Sequence, residues 1–107
     1  MGKLELLPNE QILATVKGDC WEAPGILEQV PGVYTFTDRR IIFQGNGLIE
    51  KLRLNFEIPY EQIWYIEPYL VVFFPTGIRV WTKDRKQYRM SVPKRKKYME
   101  LINSQLG

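Results

Sequence analysis

The chain has 107 residues, a net charge of +3, one cysteine and no histidine. Its length fits one domain, residues 1–107, with a single core, and the missing histidine excludes catalytic triads and metal sites built on that side chain. The lone Cys20 leaves no disulfide framework and favours a reducing, cytoplasmic compartment.

No segment of the sequence is typical of a secretion signal or a membrane span. The N-terminus is too short and too polar for a signal peptide. The longest apolar run, residues 69–75, is far shorter than the ~20 residues that cross a bilayer. We therefore expect a soluble cytoplasmic protein, with peripheral attachment to the inner membrane surface as the alternative.

Strand and turn signals alternate along the first 92 residues, which is the pattern of a small all-β sandwich or barrel. Residues 48–58 give the clearest strand, because their apolar side chains fall mostly on one face and their polar side chains on the other. Residues 63–74 are predicted to form one strand, or two that are interrupted near Pro68. The remaining predicted strands span residues 11–19, 33–37, 40–44, 78–83 and 87–92.

Local turn chemistry separates these strands. Asp38 can cap backbone amides in the bend at residues 37–39, and Asn46-Gly47 supplies the positive φ angles that a type I′ hairpin turn requires. Pro59 cannot donate to a strand ladder, so it ends its strand, and a short turn or a single helical turn follows at residues 60–62. Proline and glycine predict two further irregular segments, at residues 20–32 and at residues 75–77.

The chain closes with a predicted amphipathic helix over about residues 93–106. Pro93 suits the first helical turn, where its missing N–H costs nothing. A curled antiparallel sheet leaves an open end, and we expect this helix to cover that end with its apolar face. The apolar face consists of Tyr98, Leu101, Ile102 and Leu106.

Two segments join strand-like residues to a tight bend: Val33-Tyr-Thr-Phe-Thr-Asp-Arg-Arg-Ile-Ile-Phe43 and Ile58-Pro-Tyr-Glu-Gln-Ile63. In this order they resemble the signature of the GRAM domain, a branch of the pleckstrin-homology-like superfamily. The resemblance extends from about residue 7 to residue 106. It implies a mainly β fold with one C-terminal helix: a pleckstrin-homology-like barrel of about seven antiparallel strands in two sheets, capped by the helix. It also implies a binding module for phosphoinositides, other lipids or proteins, with no catalytic residues and no cofactor.

One departure from the superfamily argues against specific phosphoinositide binding. Members that bind these lipids place several lysines or arginines around the loop between the first two strands. Here that loop, residues 18–32, holds Asp19, Glu22 and Glu28 but no lysine or arginine. An acidic loop repels a phosphorylated headgroup, so the usual site is not expected in this chain.

The positive charge is concentrated in the last third of the chain. Residues 1–75 carry a net charge of −4 and residues 76–107 a net charge of +7, so a basic surface is predicted. Trp81 lies among the cations of a predicted hairpin, and four more cations occupy the first turn of the helix, where they oppose the helix dipole. The candidate anion-binding residues are Arg79, Trp81, Lys83, Arg85, Lys86, Arg89, Lys94, Arg95, Lys96 and Lys97.

More than one interpretation of these residues stays open. The cations and Trp81 can contact an anionic membrane, a nucleic acid or an acidic protein patch, or Trp81 can pack across the sheet while water solvates the cations. Ile26 and Leu27 are candidate loop contacts with a membrane or a partner, or they fold back onto the barrel. Residues 69–75 are interpreted as a strand buried on both faces, with an exposed docking edge as the alternative.

The sequence thus predicts a non-catalytic binding module and three classes of ligand, in descending order. The first is a protein partner or a second copy of the chain, bound through strand edges and loops. The second is an anionic membrane surface, bound through the basic hairpin and helix start, and the third is nucleic acid. If the cations fall on one face, the membrane hypothesis gains support; if the fold scatters them, the partner hypothesis gains support.

Overall fold

The computed structural model describes residues 4–25, 29–46 and 55–106. Within those ranges the chain forms seven strands, one 3-10 turn and a C-terminal helix, so the expected mainly β class with a closing helix is confirmed. In chain order they are β1 (Ile12–Glu22), β2 (Val30–Thr37), β3 (Arg40–Gly45), β4 (Asn55–Pro59), the 3-10 turn (Tyr60–Gln62), β5 (Ile63–Val71), β6 (Phe74–Thr82), β7 (Gln87–Ser91) and α1 (Arg95–Leu106).

The strands form one continuous antiparallel sheet in the order β4-β3-β2-β1-β7-β6-β5. The long strand β1 joins its two halves, because it pairs with β2 through Ile12–Cys20 and with β7 through Asp19–Glu22. The two sheets expected from the sequence are therefore halves of a single hydrogen-bonded sheet. Strands β4 and β5 lie at its two ends.

The sheet is strongly curled. Phe56 on β4 and Tyr88 on β7 have ring centroids 4.8 Å apart, although three strands separate β4 from β7 in the sheet order. In a flat sheet four strand spacings would separate such residues by about 19 Å. The curl therefore brings inward-facing side chains from distant strands into one core.

A row of glycines runs across the first three strands. Gly18 pairs with Gly32, and Gly32 pairs with Gly45. A Cβ atom at Gly18 would lie 2.3 Å from the carbonyl oxygen of Ser91, and one at Gly32 would lie 2.4 Å from that of Gln44. Glycine inside a strand marks such close backbone approaches and sharp bends, so this row lets neighbouring strands pack closely as the sheet curls.

Helix α1 covers the core with the face predicted from its sequence. Tyr98 and Ile102 are buried, and the ring of Tyr98 stacks on that of Phe36 at 5.3 Å. Leu101 and Leu106 are partly buried against the same core. The helix begins at Arg95 rather than at residue 93, because Lys94 has a φ of 54°, outside the right-handed helical region.

In the second half of the sheet, the one-strand alternative at Pro68 is correct as far as Val71, and the predicted turn at residues 75–77 is wrong. Strand β5 continues through Pro68, as a strand at the edge of a sheet can, because its missing N–H need not face a neighbour. The turn lies at residues 72–73 and not at residues 75–77, which belong to β6. Gly77 serves packing instead of a turn, since a Cβ there would lie 2.6 Å from the ring of Tyr69.

Other boundaries shift by a few residues. Strand β1 extends to Glu22 and β2 begins at Val30, so strands take up both ends of the predicted loop at residues 20–32. The bend at residues 37–39 and the helical turn after Pro59 lie where the sequence predicted them. The predicted cap of the bend is wrong, because Thr37 accepts from its backbone amides while Asp38 Oδ1 accepts from the backbone N–H of Gln11. The predicted type I′ turn at Asn46-Gly47 and the first part of the strand at residues 48–58 extend beyond the described residues.

Replacing Gly32 with alanine is expected to destabilise the protein. The new Cβ would meet the Gln44 carbonyl oxygen and the ring of Phe43, which sits 2.6 Å from the ideal Cβ position. Strain of this kind lowers the free energy of unfolding by about 1–3 kcal/mol, measurable by urea denaturation. Lys17→Ala on the exposed side of β1 is the control and should stay within about 0.5 kcal/mol of the parent. Equal stabilities of the two variants would contradict this account of the glycine row.

Candidate binding surfaces

The bend between β2 and β3 is held by a buried polar network. The hydroxyl of Thr37 accepts hydrogen bonds from the backbone N–H groups of Arg39 and Arg40, each at 3.0 Å, and donates to Glu10 Oε2 at 2.6 Å. The guanidinium of Arg40 donates to both carboxylate oxygens of Glu10 at 2.9 Å and also pairs with Glu57. The threonine-aspartate-arginine motif thus ties the N-terminal segment to β3 and β4, which is a structural role.

The second motif segment closes the same network. The hydroxyl of Tyr60 donates to the carbonyl oxygen of Thr37 at 2.7 Å, so the two signature segments hold each other in place. Hydrogen bonds from Arg40 are the main reason why the pKa of Glu10 falls from 4.5 to about 2. A carboxyl group with such a low pKa stays ionised at neutral pH and does not serve as a general acid.

Replacing Glu10 with glutamine is expected to destabilise the protein and to make its free energy of unfolding less dependent on pH in the acid range. The loss of one partner of this buried pair costs about 2–3 kcal/mol at neutral pH. Because the folded pKa of Glu10 lies below its unfolded value, its contribution is complete above pH 4.5 and is lost as the pH falls towards 2. Urea unfolding at neutral pH and at about pH 3 should therefore show a smaller difference between parent and variant in acid. Exposed Glu61→Gln is the control, and a difference that grows in acid would contradict the prediction.

The cations on the outer face of β6 and β7 are largely neutralised by neighbouring strands. Arg79 Nη1 lies 2.9 Å from Glu67 Oε1, and Arg89 Nε lies 2.9 Å from Glu22 Oε1. Both guanidinium groups also contact the ring of Tyr69, at 5.4 and 5.8 Å from its centroid. Charge that is paired in this way attracts an anionic ligand less strongly than the sequence suggests.

Trp81 lies on the same outer face and is part of its packing. Ile78, Val80 and Thr82 are buried, so Arg79 and Trp81, which alternate with them along β6, face outward. The indole of Trp81 is only partly exposed, its Nε1 is 3.5 Å from Glu67 Oε1, and its ring stacks with Tyr65 at 6.3 Å. These contacts agree with the cross-strand packing interpretation of Trp81.

Three more candidate cations lie at the turn between β6 and β7. Lys83, Arg85 and Lys86 are exposed. Lys86 Nζ is 3.8 Å from the carboxylate of Asp84, and Arg85 lies over the ring of Trp64 at 5.9 Å from its centroid. The turn therefore presents a basic end of the hairpin beside an exposed tryptophan.

The remaining candidate cations lie at the opposite end of β6. Arg95 Nη1 donates to the carbonyl oxygens of Tyr69 and Gly77, at 3.0 and 3.3 Å, which fixes the start of α1 beside the β5–β6 hairpin. The six residue-to-residue steps from Gly77 to Lys83 span about 20 Å. Lys94, Lys96 and Lys97 are exposed and lie with Arg95 near the Gly77 end of this span. Lys83, Arg85 and Lys86 lie at its other end, so the ten predicted residues do not form one patch.

Two exposed groups of apolar residues lie at the two ends of β5, and the first of them was not predicted as a site. Trp64 and Tyr65 near the start of β5 are 56% and 39% exposed. At the turn between β5 and β6 the exposed fractions are 61% for Leu70, 70% for Val72, 86% for Phe73 and 64% for Phe74. The interpretation of residues 69–75 as a buried strand is therefore wrong, and the alternative of an exposed edge is correct. The sequence signal was an apolar turn without any of the usual polar turn residues.

The loop between β1 and β2 is described only in part. Ile26 and Leu27 fall outside the described residues, so their role as contacts stays a prediction. The described part of the loop borders an open depression of about 530 Å³ that faces Trp81 and the β6–β7 turn. The one acidic residue of its lining, Glu22 at the end of β1, is engaged by Arg89 and by the side-chain amide of Gln87 at 3.2 Å.

The described residues hold no metal-binding cluster and no activated cysteine. Among them no three acidic, cysteine or histidine side chains lie close enough to hold a metal ion. Burial raises the pKa of the Cys20 thiol to about 11, so it stays protonated and is a poor nucleophile. No helix in the described part of the chain is long and apolar enough to cross a membrane.

The curled seven-stranded sheet with a C-terminal helix defines a pleckstrin-homology-like domain. A family model described as bacterial PH domain matches residues 6–103, so the chain belongs to that family. Domains of this fold are generally non-catalytic binding modules. No curated protein sequence matches the chain.

Two solved structures show the same fold. The C-terminal domain of an unknown protein from Leishmania infantum aligns with a TM-score of 0.75 and 22% identity, over 91% of this chain and 84% of that one. The N-terminally truncated linker-DH/PH domains of p115-RhoGEF align with a TM-score of 0.70 and 10% identity, over 92% of this chain and 30% of that one. At these identities the likeness shows the shared fold alone.

Proposed function

We propose that this domain is a non-catalytic module that binds a protein partner or a second copy of itself through an aromatic cluster around the start of the edge strand β5. The cluster consists of Trp64, Tyr65, Trp81 and Arg85. The observation that carries the proposal is the exposure of Trp64 and Tyr65 beside Arg85 at one end of the sheet. Tryptophan, tyrosine and arginine are the residues that most often dominate the energy of protein interfaces.

The contacts within the aromatic cluster hold it in a defined shape. The rings of Trp64 and Tyr65 meet edge to face at 4.9 Å, and Tyr65 stacks on Trp81 at 6.3 Å. Arg85 covers part of the Trp64 ring at 5.9 Å. A surface that is ordered before binding loses less side-chain entropy when the partner arrives. Because these ring contacts already order the aromatic cluster, its side chains favour a tight contact.

The edge position of β5 supports the same surface. Strand β5 ends the order of the sheet among the described residues, so its outer side faces no further strand there. Pro68 lacks a backbone donor and restricts any pairing with an incoming strand to the residues on either side of it. We therefore expect side chains of the aromatic cluster, rather than a long added strand, to supply most of the affinity.

The distribution of charge also favours a protein ligand over a nucleic acid. The candidate cations divide between two ends of β6, and Arg79 and Arg89 between them are paired with carboxylates. A nucleic acid is held by several phosphate contacts at once and needs a continuous basic track. We also infer that the chain is one domain of the GRAM type that acts in the cytoplasm, which the two signature segments and the single buried cysteine support.

Replacing Trp64 with serine is expected to weaken partner binding by at least about 30-fold while leaving the fold intact. Sedimentation velocity over a range of protein concentrations tests self-association first. If the parent protein associates, the Trp64→Ser variant should remain monomeric at the same concentrations. If the parent stays monomeric, immobilised parent and variant serve as baits for a native cytoplasmic extract, and a partner should bind only the parent.

Phe73→Ser is the matched control, because it also removes an exposed aromatic side chain but at the opposite end of β5. It should retain the association that Trp64→Ser loses. Circular dichroism and the unfolding midpoint should be unchanged in both variants. Association that survives in Trp64→Ser and in a Trp64→Ser, Tyr65→Ser double variant would refute the proposal.

A further inference from the structure

The turn between β5 and β6 forms a projecting apolar tip. We use this name for Leu70, Val72, Phe73 and Phe74. Val71 pairs with Phe74, so the turn itself has only two residues, and both are among the most exposed apolar side chains described. Isolated exposed apolar residues are ordinary, but a contiguous group of this kind marks an interaction site.

The backbone at the apolar tip carries strain. Val72 has a φ of 58°, in the left-handed region that β-branched residues strongly avoid. Glycine or asparagine would fit this position at lower cost. The strain cannot be explained by packing of Val72, whose side chain is 70% exposed. Strain kept without a packing benefit is typical of functional positions.

A basic run lies beside the apolar tip. We use this name for the exposed Lys94, Lys96 and Lys97. Arg95 binds carbonyl oxygens on both strands of the hairpin, and Val92 N–H donates to Thr76 O at 3.0 Å, so the start of α1 is fixed against the strands that lead to the turn. Residues 68–77 and 91–99 include no acidic residue. The carboxylates just outside these ranges are Glu67, which is paired with Arg79, and Glu100, which lies three and four residues after Lys97 and Lys96.

We propose that the apolar tip and the basic run together dock the domain on an anionic lipid surface, with Phe73 and Val72 inserted among the lipids and the lysines facing the headgroups. Apolar insertion and attraction to anionic lipid are the two contributions that hold peripheral proteins at membranes. The lysines at the start of α1 oppose the helix dipole, and an anionic surface removes that conflict.

A lipid surface fits this site better than a protein groove does. The apolar side chains come from both strands and from both turn positions, so they surround a narrow convex tip instead of forming one flat face. A protein partner would need a pocket shaped for every one of them, whereas a fluid lipid phase accommodates any convex apolar shape. This surface lies at the other end of β5 from the aromatic cluster and does not depend on it.

Co-sedimentation with vesicles tests the proposal. The probes are vesicles of phosphatidylcholine alone and of phosphatidylcholine mixed with phosphatidylserine, each at low and at physiological salt. The parent should bind the mixed vesicles more tightly, and binding should weaken as salt rises. Phe73→Ser should lose about tenfold or more in affinity, and the triple Lys94, Lys96, Lys97→Gln variant should lose on the order of a hundredfold.

Two further variants separate binding from folding. Lys83→Gln with Lys86→Gln removes two cations at the far end of β6 and should bind vesicles as the parent does. Val72→Gly relieves the strained turn, so its unfolding midpoint should stay the same or rise while its vesicle binding falls. A protein that is at least as stable and yet binds less tightly cannot owe the loss to misfolding.

Insertion itself can be followed with a fluorophore. Because Cys20 is fully buried, a Phe73→Cys variant can be labelled selectively at the tip with an environment-sensitive dye. The emission should shift to the blue and intensify on mixed vesicles, whereas a Lys83→Cys variant labelled in the same way should not change. A parent that fails to bind mixed vesicles at low salt would overturn the proposal. So would a Phe73→Ser variant that binds vesicles normally but loses a protein partner.

Discussion

The close approach of strands around the glycine row is the constraint on which this fold depends. Because Gly18 and Gly32 have no Cβ, the backbone of β1 can approach the end of β7, and that of β2 can approach β3. One strand can then belong to both halves of the sheet, and the sheet can curl until side chains of β4 and β7 touch. The open end left by this curl is the place that α1 covers with Tyr98 and Ile102.

Features set by local chemistry were predictable from the sequence, and features set by distant neighbours were not. The bend around Asp38, the turn after Pro59 and the apolar face of α1 each follow from a few adjacent residues. Gly77 was misread as a turn residue because its role depends on a ring eight residues earlier. Residues 69–75 are largely exposed because they form the β5–β6 turn and its flanks at one end of the sheet, whereas their apolar side chains alone had favoured a buried strand.

In the candidate site, too, some features follow from adjacent residues and others depend on distant parts of the chain. Period-two alternation along a strand is enough to put Arg79 and Trp81 on the same face of β6. It could not show that Glu67 and Glu22 would neutralise Arg79 and Arg89, because strand pairing brings those carboxylates in from other parts of the chain. The grouping of cations into a sheet face, a hairpin turn and a helix start likewise follows from the topology. The sequence left open whether the cations form one patch or several, and the fold divides the charge between two ends that can act separately.

The position of Arg95 has a mechanical consequence. A strand at the edge of a sheet is normally the easiest to peel away, since its hydrogen bonds can break one after another. Here one guanidinium nitrogen holds carbonyl oxygens of both β5 and β6, at Tyr69 and Gly77, while its own helix is anchored in the core through Ile102. A force applied at the β5–β6 turn is therefore transmitted through Arg95 to α1 and the core. The hairpin thus resists separation of its strands from the end at which an attached surface would apply that force.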